Sequence, residues 1–396
     1  MAGAPTRIYL DCNATWPLRP EAREAMVAAL DSANPSSVHT EGRAARALVE
    51  DARRAVADLV GANPGEVTFT SGASEAANMA LTPDWLIDGK PRNHNALAVL
   101  ESDHSVFLEG GRFEASNVTA LSVDRDGLLR TDALYRWLDD VGDNAAILAI
   151  GLANSETGVV QDICKIAETL RGRDIRLVVD AAQYAGRLPL DFDHCPADAI
   201  LLSSHKLGGP KGIGAIVLKS TSTRPFPLIR GGGQEKGRRS GTEPVPEIAG
   251  FGVAVRAASF ELRNDDGRMV RLRDLVDRSV LQRSPKTIVL GKAVTRLPNT
   301  SAYLTPGLKS ETAQIALDLA GLAVSAGSAC SSGKVGRSHV VSTMAAAGLD
   351  IDPADGAVRV SFSRETSEPE LMRFVDEYVR LATKTESKPQ NIDHAA

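Results

Sequence analysis

Short apolar runs alternate with segments of helical hydrophobic spacing over roughly the first 220 of the 396 residues. The intervening segments 74–81, 132–140 and 166–172 carry apolar residues at helical spacing. Seven apolar runs are predicted as strands: 67–71, 95–101, 118–123, 145–153, 175–182, 198–204 and 212–219. This alternation is typical of an α/β domain built on a mostly parallel sheet that is buried on both faces. Functional residues are then expected where these strands end.

The pattern changes near Glu247, where one long helical stretch, 247–283, is predicted. Strands at 287–291, 300–305 and 357–363 and a helix at 310–321 follow it, which indicates a smaller α+β domain joined by the long helix. We predict a large domain over residues 17–259, and a small domain formed by residues 1–16 and 260–396. The small domain carries a glycine- and serine-rich loop at about 325–339.

The composition limits the classes of molecule that the protein is expected to bind. The net charge of -5 comes from mixed signs without a basic stripe, which argues against direct nucleic-acid binding and favours a small-molecule substrate. No apolar run reaches the roughly 20 residues of a membrane span, and the first residues lack the order of a signal peptide, so a cytoplasmic protein is expected. The cysteines form no CxxC pair, which predicts reduced thiols and no zinc site. They are Cys12, Cys164, Cys195 and Cys330.

Polar residues at the strand ends match the needs of pyridoxal 5'-phosphate (PLP). Lys206 follows one apolar strand and suits a Schiff base, while Asp180 ends another and suits a pyridine nitrogen. Ala73 and Ser74 lie at a strand-to-helix turn, where free backbone amides and a hydroxyl bind phosphate. Each feature alone also fits a solvated lysine, a helix cap or an ordinary turn. Their occurrence together at several strand ends favours a PLP site.

The chain resembles the PLP-dependent cysteine desulfurases of the NifS and IscS type, which are fold-type I, class V aminotransferase-like enzymes. Ten segments carry this resemblance in the family's order, among them YLDCNATWPLRPE, FTSGASEAAN, NSETGVVQD, SSHKLGGPKGIGA and SAGSACSSGK. The resemblance implies conversion of L-cysteine to L-alanine, with the sulfur carried as a persulfide and passed to a scaffold protein for iron–sulfur cluster assembly. It also implies a homodimer.

The resemblance assigns roles position by position. Lys206 is implied to hold PLP, Asp180 to pair with the pyridine nitrogen, Gln183 to bond the ring oxygen, and His104 to stack on the ring and move protons. The implied phosphate ligands are Ala73, Ser74, Ser203, His205 and, from the partner subunit, Thr242. Arg359 is implied to bind the substrate carboxylate, a role that suits a planar guanidinium.

Cys330 is implied to be the nucleophile that takes the sulfur, and its loop setting suits a thiol that must reach both a buried adduct and an acceptor protein. No resident metal site is expected. The resemblance allows a transient contact of Cys330 with an iron–sulfur cluster or scaffold. The family usually reads Asn-Asn-Glu where this chain has Asn154-Ser155-Glu156. The ring and carboxylate contact of the second asparagine is therefore lost, bridged by water or taken over by Asn154. Cys12 is interpreted as structural.

Two other classes of function share parts of this pattern. A class V aminotransferase or a selenocysteine lyase would use Lys206, Asp180 and His104, and the aminotransferase would not need Cys330. A non-catalytic sulfur-assembly adaptor would keep the fold without turnover.

Overall fold

The computed structural model of the chain describes residues 7–192, 196–327 and 337–386. The helices are α1 (Pro20–Ala29), α2 (Thr40–Leu59), α3 (Ala73–Ala80), α4 (Ser105–Leu108), α5 (Thr131–Val141), α6 (Ile163–Thr169), α7 (Val245–Arg263), α8 (Arg268–Arg283), α9 (Ser310–Leu319), α10 (His339–Ala346) and α11 (Glu368–Glu386). The strands are β1 (Ile8–Tyr9), β2 (Val67–Thr70), β3 (Asp84–Ile87), β4 (Lys90–Asn93), β5 (Ala96–Leu100), β6 (Val118–Leu121), β7 (Ala146–Gly151), β8 (Ile175–Asp180), β9 (Ala199–Ser203), β10 (Gly214–Leu218), β11 (Arg224–Pro225), β12 (Ile288–Val289), β13 (Thr300–Leu304), β14 (Leu322–Ala323), β15 (Ser325–Ala326) and β16 (Val358–Ser361).

The central sheet has seven strands in the order β2-β10-β9-β8-β7-β5-β6. Strands β9, β8, β7, β5 and β6 pair in parallel, whereas β10 runs antiparallel to both β9 and β2. The predicted fold class is therefore confirmed, including the number of strands in this sheet. Because β10 is reversed, its first residue, Gly214, lies beside Ser203 and Thr70, the last residues of β9 and β2. The loops that carry the predicted site residues thus meet at one edge.

Both faces of this sheet are covered by helices, which explains why its strands are apolar throughout. On one face, α2, α5, α6 and α7 pack in a large core. On the other face, α3 packs on β9 and β10, and its Ala76, Ala77 and Met79 share a core with Leu201 and Ile216. Helices α2 and α7 approach closely, since a Cβ on Gly252 would lie 2.7 Å from Cα of Ala52. The packing of α3 on β9 and β10 holds its first turn at the edge of the sheet.

A second core surrounds an antiparallel sheet of order β12-β13-β16-β15. Helices α8, α9 and α11 contribute to it, with Tyr303, Phe374 and Tyr378 forming a buried aromatic cluster whose ring centroids lie 5.5 to 5.8 Å apart. Ile8 and Leu10 from the amino-terminal segment join the same core. The domain boundaries at residues 17 and 259 stay a prediction.

The predicted long helix over 247–283 is wrong, because the structure breaks it into α7 and α8. Asn264 ends α7 by donating from its side-chain amide to the carbonyl of Phe260, at 2.7 Å. Gly267 then takes a φ of +74°, a left-handed conformation that helical residues do not adopt. The segment between these two residues turns the chain so that α8 packs against α11.

Several elements were not predicted. A three-stranded sheet of order β11-β3-β4 lies beside the main sheet, and its short strands carry polar or proline residues. Helix α11 and the short strands β14 and β15 were also missed. In residues 7–192, 196–327 and 337–386, no helix combines the length and apolarity needed to cross a membrane.

Candidate active site

A cavity of about 480 Å³ opens at the edge of the central sheet where the parallel strands end. It brings together ten of the residues predicted from sequence. These are Ala73, Ser74, His104, Asn154, Ser155, Asp180, Gln183, Ser203, His205 and Lys206. Because they come from five separate strand ends, their convergence follows from the parallel topology rather than from proximity in sequence.

Lys206 lies in a single 3-10 turn, Ser204–Lys206, directly after β9. Its Nζ donates to the backbone carbonyls of Asn13, at 2.6 Å, and Ala14, at 3.0 Å. The side chain is half-buried, and these two carbonyl oxygens hold its amine at the cavity wall. An amine in this position can bond to a carbonyl compound in the cavity or move a proton there.

Two buried carboxyl groups, those of Asp103 and Asp180, line the cavity. Burial raises the pKa of Asp180 above its usual value, and the amide of Ala182 and the charges of His104 and Lys206 oppose this rise. Burial also raises the pKa of Asp103, to about 7, although its oxygens accept from two backbone amides. A buried carboxyl of this kind is stabilised as an anion by a cationic partner. The arrangement therefore suits a protonated ring nitrogen beside Asp180.

His104 follows Asp103 and caps the short helix α4. Its Nδ1 accepts from the backbone amide of Val106, at 3.2 Å. In a neutral imidazole the other nitrogen, Nε2, then carries the proton. The ring is thus fixed in one tautomer at the cavity wall.

The first turn of α3, which starts at Ala73 after Gly72, also lines the cavity. In the described part of the chain, no side chain caps this helix, so its first amides point outward without the usual partner. Next to them, Glu75 is held by Arg239 at 2.8 Å and by the amide of Ser71 at 2.7 Å. Uncapped amides at a helix start bind phosphate groups.

His205, between Ser204 and Lys206, also lines this cavity. Its Nδ1 lies 3.1 Å from the Thr15 hydroxyl. Burial, reinforced by the positive charges of Lys206 and Lys211, lowers the pKa of His205 to about 4. The ring is therefore neutral at physiological pH and can act as a hydrogen-bond partner rather than as a cation.

Asn13 is a residue of the site that the sequence reasoning missed. It is 1% exposed, and its carbonyl accepts from Lys206 Nζ and, at 3.0 Å, from Gln183 Nε2. Its side-chain oxygen accepts from Arg187 at 2.9 Å, and its Nδ2 donates to the carbonyl of Ser155 at 3.1 Å. The residue lies in the segment YLDCNATWPLRPE, but an asparagine in a loop usually indicates only a turn. Its many contacts are visible only in three dimensions.

Arg187 was also missed. This guanidinium is 2% exposed and donates to the carbonyl and side-chain oxygens of Gln183, at 2.9 and 2.8 Å. It stacks over the ring of Trp16, 5.5 Å from the centroid. Burial lowers the pKa of Arg187 to about 10, and burial likewise raises the pKa of the Cys12 thiol, to about 12. A protonated, fully buried Cys12 agrees with its structural interpretation.

Arg359 lies in β16, behind Ser155 rather than among the residues that line the cavity. It is 2% exposed, and it donates to the carbonyl of Ser155 at 2.8 Å and to Asp11 at 2.6 Å. Its Nε is buried without a hydrogen-bond partner in the described residues. The predicted carboxylate-binding role of Arg359 stays a prediction.

Asn154 uses its side chain to organise the loop after β7. Its Oδ1 accepts from the amides of Glu156 and Thr157, both at 2.9 Å, and its Nδ2 donates to the carbonyl of Ser102 at 2.8 Å. Both polar groups of the Asn154 side chain are therefore already hydrogen-bonded within the chain. They are the same groups that Asn154 would need in order to take over the contact of the second asparagine, whose place Ser155 occupies.

Among the predicted site residues that the structure describes, Arg359 and Thr242 do not line this cavity. Thr242 is exposed on the surface and does not line the cavity of its own chain. Cys330 and Cys195 lie outside the described residues. Within the described ranges, no three His, Cys, Asp or Glu side chains are grouped to hold a metal ion.

Comparison with known proteins gives a consistent assignment. The family model for class V aminotransferases matches residues 8–374. The chain is 36% identical to the cysteine desulfurase IscS of Dictyoglomus turgidum over 388 residues, with 95% of both chains covered. It is 40% identical to a cysteine desulfurase of Cereibacter sphaeroides over 382 residues, covering 93% of this chain and 94% of the other.

Solved structures agree with these relatives. A NifS-like protein from Rickettsia africae superposes with a TM-score of 0.83 at 28% identity, covering 95% of this chain and 99% of the other. A structure of SspA in complex with cysteine has a TM-score of 0.71 at 29% identity, covering 90% of this chain and 99% of the other.

Proposed function

Because the chain belongs to the class V aminotransferase family and, within it, to the cysteine desulfurases, we propose that it converts L-cysteine to L-alanine and takes the sulfur onto Cys330 as a persulfide. The observation that carries the proposal is the convergence of Lys206, Asp180 and His104 on one cavity, next to an uncapped helix start.

The residues present fit PLP, the cofactor of this family. The amides of Ala73 and Ser74 would hold its phosphate, Asp180 its ring nitrogen, and Lys206 its aldehyde carbon. The buried Asp180 carboxyl, with its raised pKa, gains most from a cationic neighbour. When bound, the cofactor withdraws electrons from the carbon that carries the substrate's amino group.

The chain's own groups then divide the work. The Lys206 amine removes the proton from the α-carbon of L-cysteine, and the carbonyls of Asn13 and Ala14 orient that amine. His104, held in one tautomer, moves protons at Nε2. Arg359 would bind the substrate carboxylate once it exchanges its Asp11 contact.

Sulfur transfer balances without a further reactant. The Sγ of Cys330 bonds to the substrate sulfur while the bond from that sulfur to the β-carbon breaks. The β-carbon gains a proton and becomes the methyl group of alanine, so carbon is reduced while the two thiol sulfurs are oxidised to the persulfide level. Because the thiolate is the nucleophile, the reaction requires Cys330 to be deprotonated.

Two finer features belong to the same proposal. The persulfide passes to an acceptor protein, for which an iron–sulfur scaffold is the expected partner, as the name IscS suggests for the relative from Dictyoglomus turgidum. The enzyme acts as a homodimer, in which the exposed Thr242 of one protomer completes the phosphate site of the other. Glu235, buried and paired with Arg53 at 2.7 Å, anchors the loop that presents Thr242.

The test uses holoenzyme and L-cysteine. We expect alanine to form and mass spectrometry to find an added sulfur on Cys330. Cys330→Ala should abolish both, whereas Cys164→Ala, which removes an exposed thiol on α6, should change neither. An aminotransferase would keep its activity in Cys330→Ala, and an adaptor would form no alanine at all. Either result, or no added sulfur on Cys330, would contradict the proposal.

A further inference from the structure

We infer that Ser338 and His339, eight and nine residues after Cys330, are positioning residues that attach this part of the chain to two loops of the active-site cavity. Ser338 is the residue before α10, and His339 is the first residue of that helix. The inference rests on the proposed function, because it concerns delivery of Cys330 to the substrate sulfur.

The first attachment joins Ser338 to Glu156. The Ser338 hydroxyl donates to Glu156 Oε2 at 2.6 Å, and the two residues are 2% and 8% exposed. The same hydroxyl accepts from the amide of Val341 at 3.1 Å and thereby caps α10. Capping requires only the acceptor function of the serine. The short donation to a buried carboxylate is a separate contact between segments 182 residues apart in sequence.

The second attachment joins His339 to the backbone of Asp103. The His339 Nε2 lies 2.9 Å from the Asp103 carbonyl oxygen. A carbonyl oxygen can only accept, so Nε2 carries the proton in this contact. Asp103 directly precedes His104, which lines the cavity. The start of α10 is therefore fastened beside the residue proposed to move protons.

Both partners of this anchor are themselves fixed. Asn154 accepts from the amide of Glu156 and donates to the carbonyl of Ser102, so the loops 102–104 and 154–156 are joined. Before Cys330, Ser325 pairs with Arg359 across β15 and β16. The described residues before and after the segment that contains Cys330 thus both contact residues next to the cavity. The contacts after Cys330 are made by side chains, which substitution can remove one at a time.

An anchor predicts a different phenotype from a helix cap. If Ser338 only caps α10, Glu156→Ala leaves the reaction unchanged. If the pair positions Cys330, Glu156→Ala slows sulfur transfer while the cap stays in place. Misplacement of a reacting group by about 1 Å can cost on the order of 100-fold in rate, so we expect transfer to slow by about 10- to 100-fold.

The experiment separates cysteine binding from sulfur transfer in the holoenzyme. Stopped-flow absorbance of the bound cofactor reports binding of L-cysteine, and quenched single-turnover mass spectrometry reports the added sulfur on Cys330. For Glu156→Ala we expect binding within about twofold of the parent and transfer slowed as above. Glu156→Gln, which retains an acceptor oxygen, should recover most of the transfer rate. Ser342→Ala, which removes a hydroxyl bonded to the Ser338 carbonyl on the same helix, is the matched control and should match the parent.

Further outcomes decide the inference. The double variant Ser338→Ala/Glu156→Ala should transfer sulfur no more slowly than the slower single variant, because both changes remove one contact. A Glu156→Ala rate within twofold of the parent would overturn the anchor, as would a defect confined to cysteine binding. If the parent itself gains no sulfur on Cys330, the proposed function fails instead, which the same measurement shows directly.

Discussion

Replacing Asn13 by alanine should lower the stability of the fold and loosen the orientation of the Lys206 amine. The change removes a fully buried amide that donates to the carbonyl of Ser155 at 3.1 Å and to Thr300 Oγ1 at 3.1 Å, and accepts from Arg187 at 2.9 Å. A neutral hydrogen bond contributes roughly 1 kcal/mol net, and one to a charged group roughly 1.5–3 kcal/mol. We therefore expect the free energy of unfolding to fall by about 3–5 kcal/mol.

The effect on catalysis is separate, because the contact between Lys206 and Asn13 involves the backbone carbonyl of Asn13 and not its side chain. The side chain of Asn13 holds that backbone in place, so its loss frees the carbonyls that orient the lysine amine. We expect kcat to fall by about tenfold or more, with a shifted pH profile for the step that depends on the amine. Urea unfolding measures the first effect, and steady-state kinetics across pH measures the second.

Asn299→Ala is the matched control for this prediction. Asn299 is also fully buried; its Nδ2 donates to the carbonyl of Phe362 at 2.9 Å and its Oδ1 accepts from the Thr300 hydroxyl at 3.2 Å, but it makes no described contact with Lys206. This variant should lose about 1–3 kcal/mol of stability and keep kcat within about twofold. If Asn13→Ala were destabilised but kept the kcat and pH profile of the parent, the proposed link between Asn13 and Lys206 would be refuted.

Two further predictions concern buried carboxyl groups. Asp103 has a folded-state pKa near 7, above its unfolded value of about 4, so its contribution to stability is present below pH 4 and is lost as pH rises to 7. Asp103→Asn should remove that decline, up to about 4 kcal/mol, from urea unfolding curves of the cofactor-free protein; an unchanged pH dependence would contradict it. Asp277 accepts from Arg296 at 2.6 Å and from Tyr303 at 2.7 Å in the second core. Asp277→Ala leaves the Arg296 charge buried and unpaired, so stability should fall by about 3–5 kcal/mol, whereas a loss below 1 kcal/mol would show that water or another residue replaces the carboxylate.

The central sheet could be predicted from sequence because burial on both faces makes its strands apolar throughout. The convergence of Lys206 and Asp180 followed from the same logic, since parallel strands end at one edge. The break between α7 and α8 was missed although Gly267 marks it, because the hydrophobic spacing continues on both sides. Strands β3, β4 and β11 were missed because they are short and partly polar.

The least predictable feature was the amino-terminal segment at Asn13. Its partners Gln183, Arg187 and Thr300 lie 170 or more residues away in sequence, so no local pattern indicates them. Positions that join distant segments become visible only when hydrogen bonds are traced through the structure. The same holds for the contact between Ser338 and Glu156.

Residue 155 is serine where the family that the chain resembles usually has asparagine, and these contacts explain why the site tolerates the difference. Arg359 and Asn13 both donate to the backbone carbonyl of Ser155, at 2.8 and 3.1 Å, and neither contact depends on the side chain at this position. The Arg359–Ser155–Asn13–Lys206 connection is therefore available whether residue 155 is serine or asparagine. Asn154, in turn, is engaged in holding Glu156 and Ser102. The change to serine thus alters what the side chain offers to the cavity while leaving intact the backbone that links the guanidinium to the lysine.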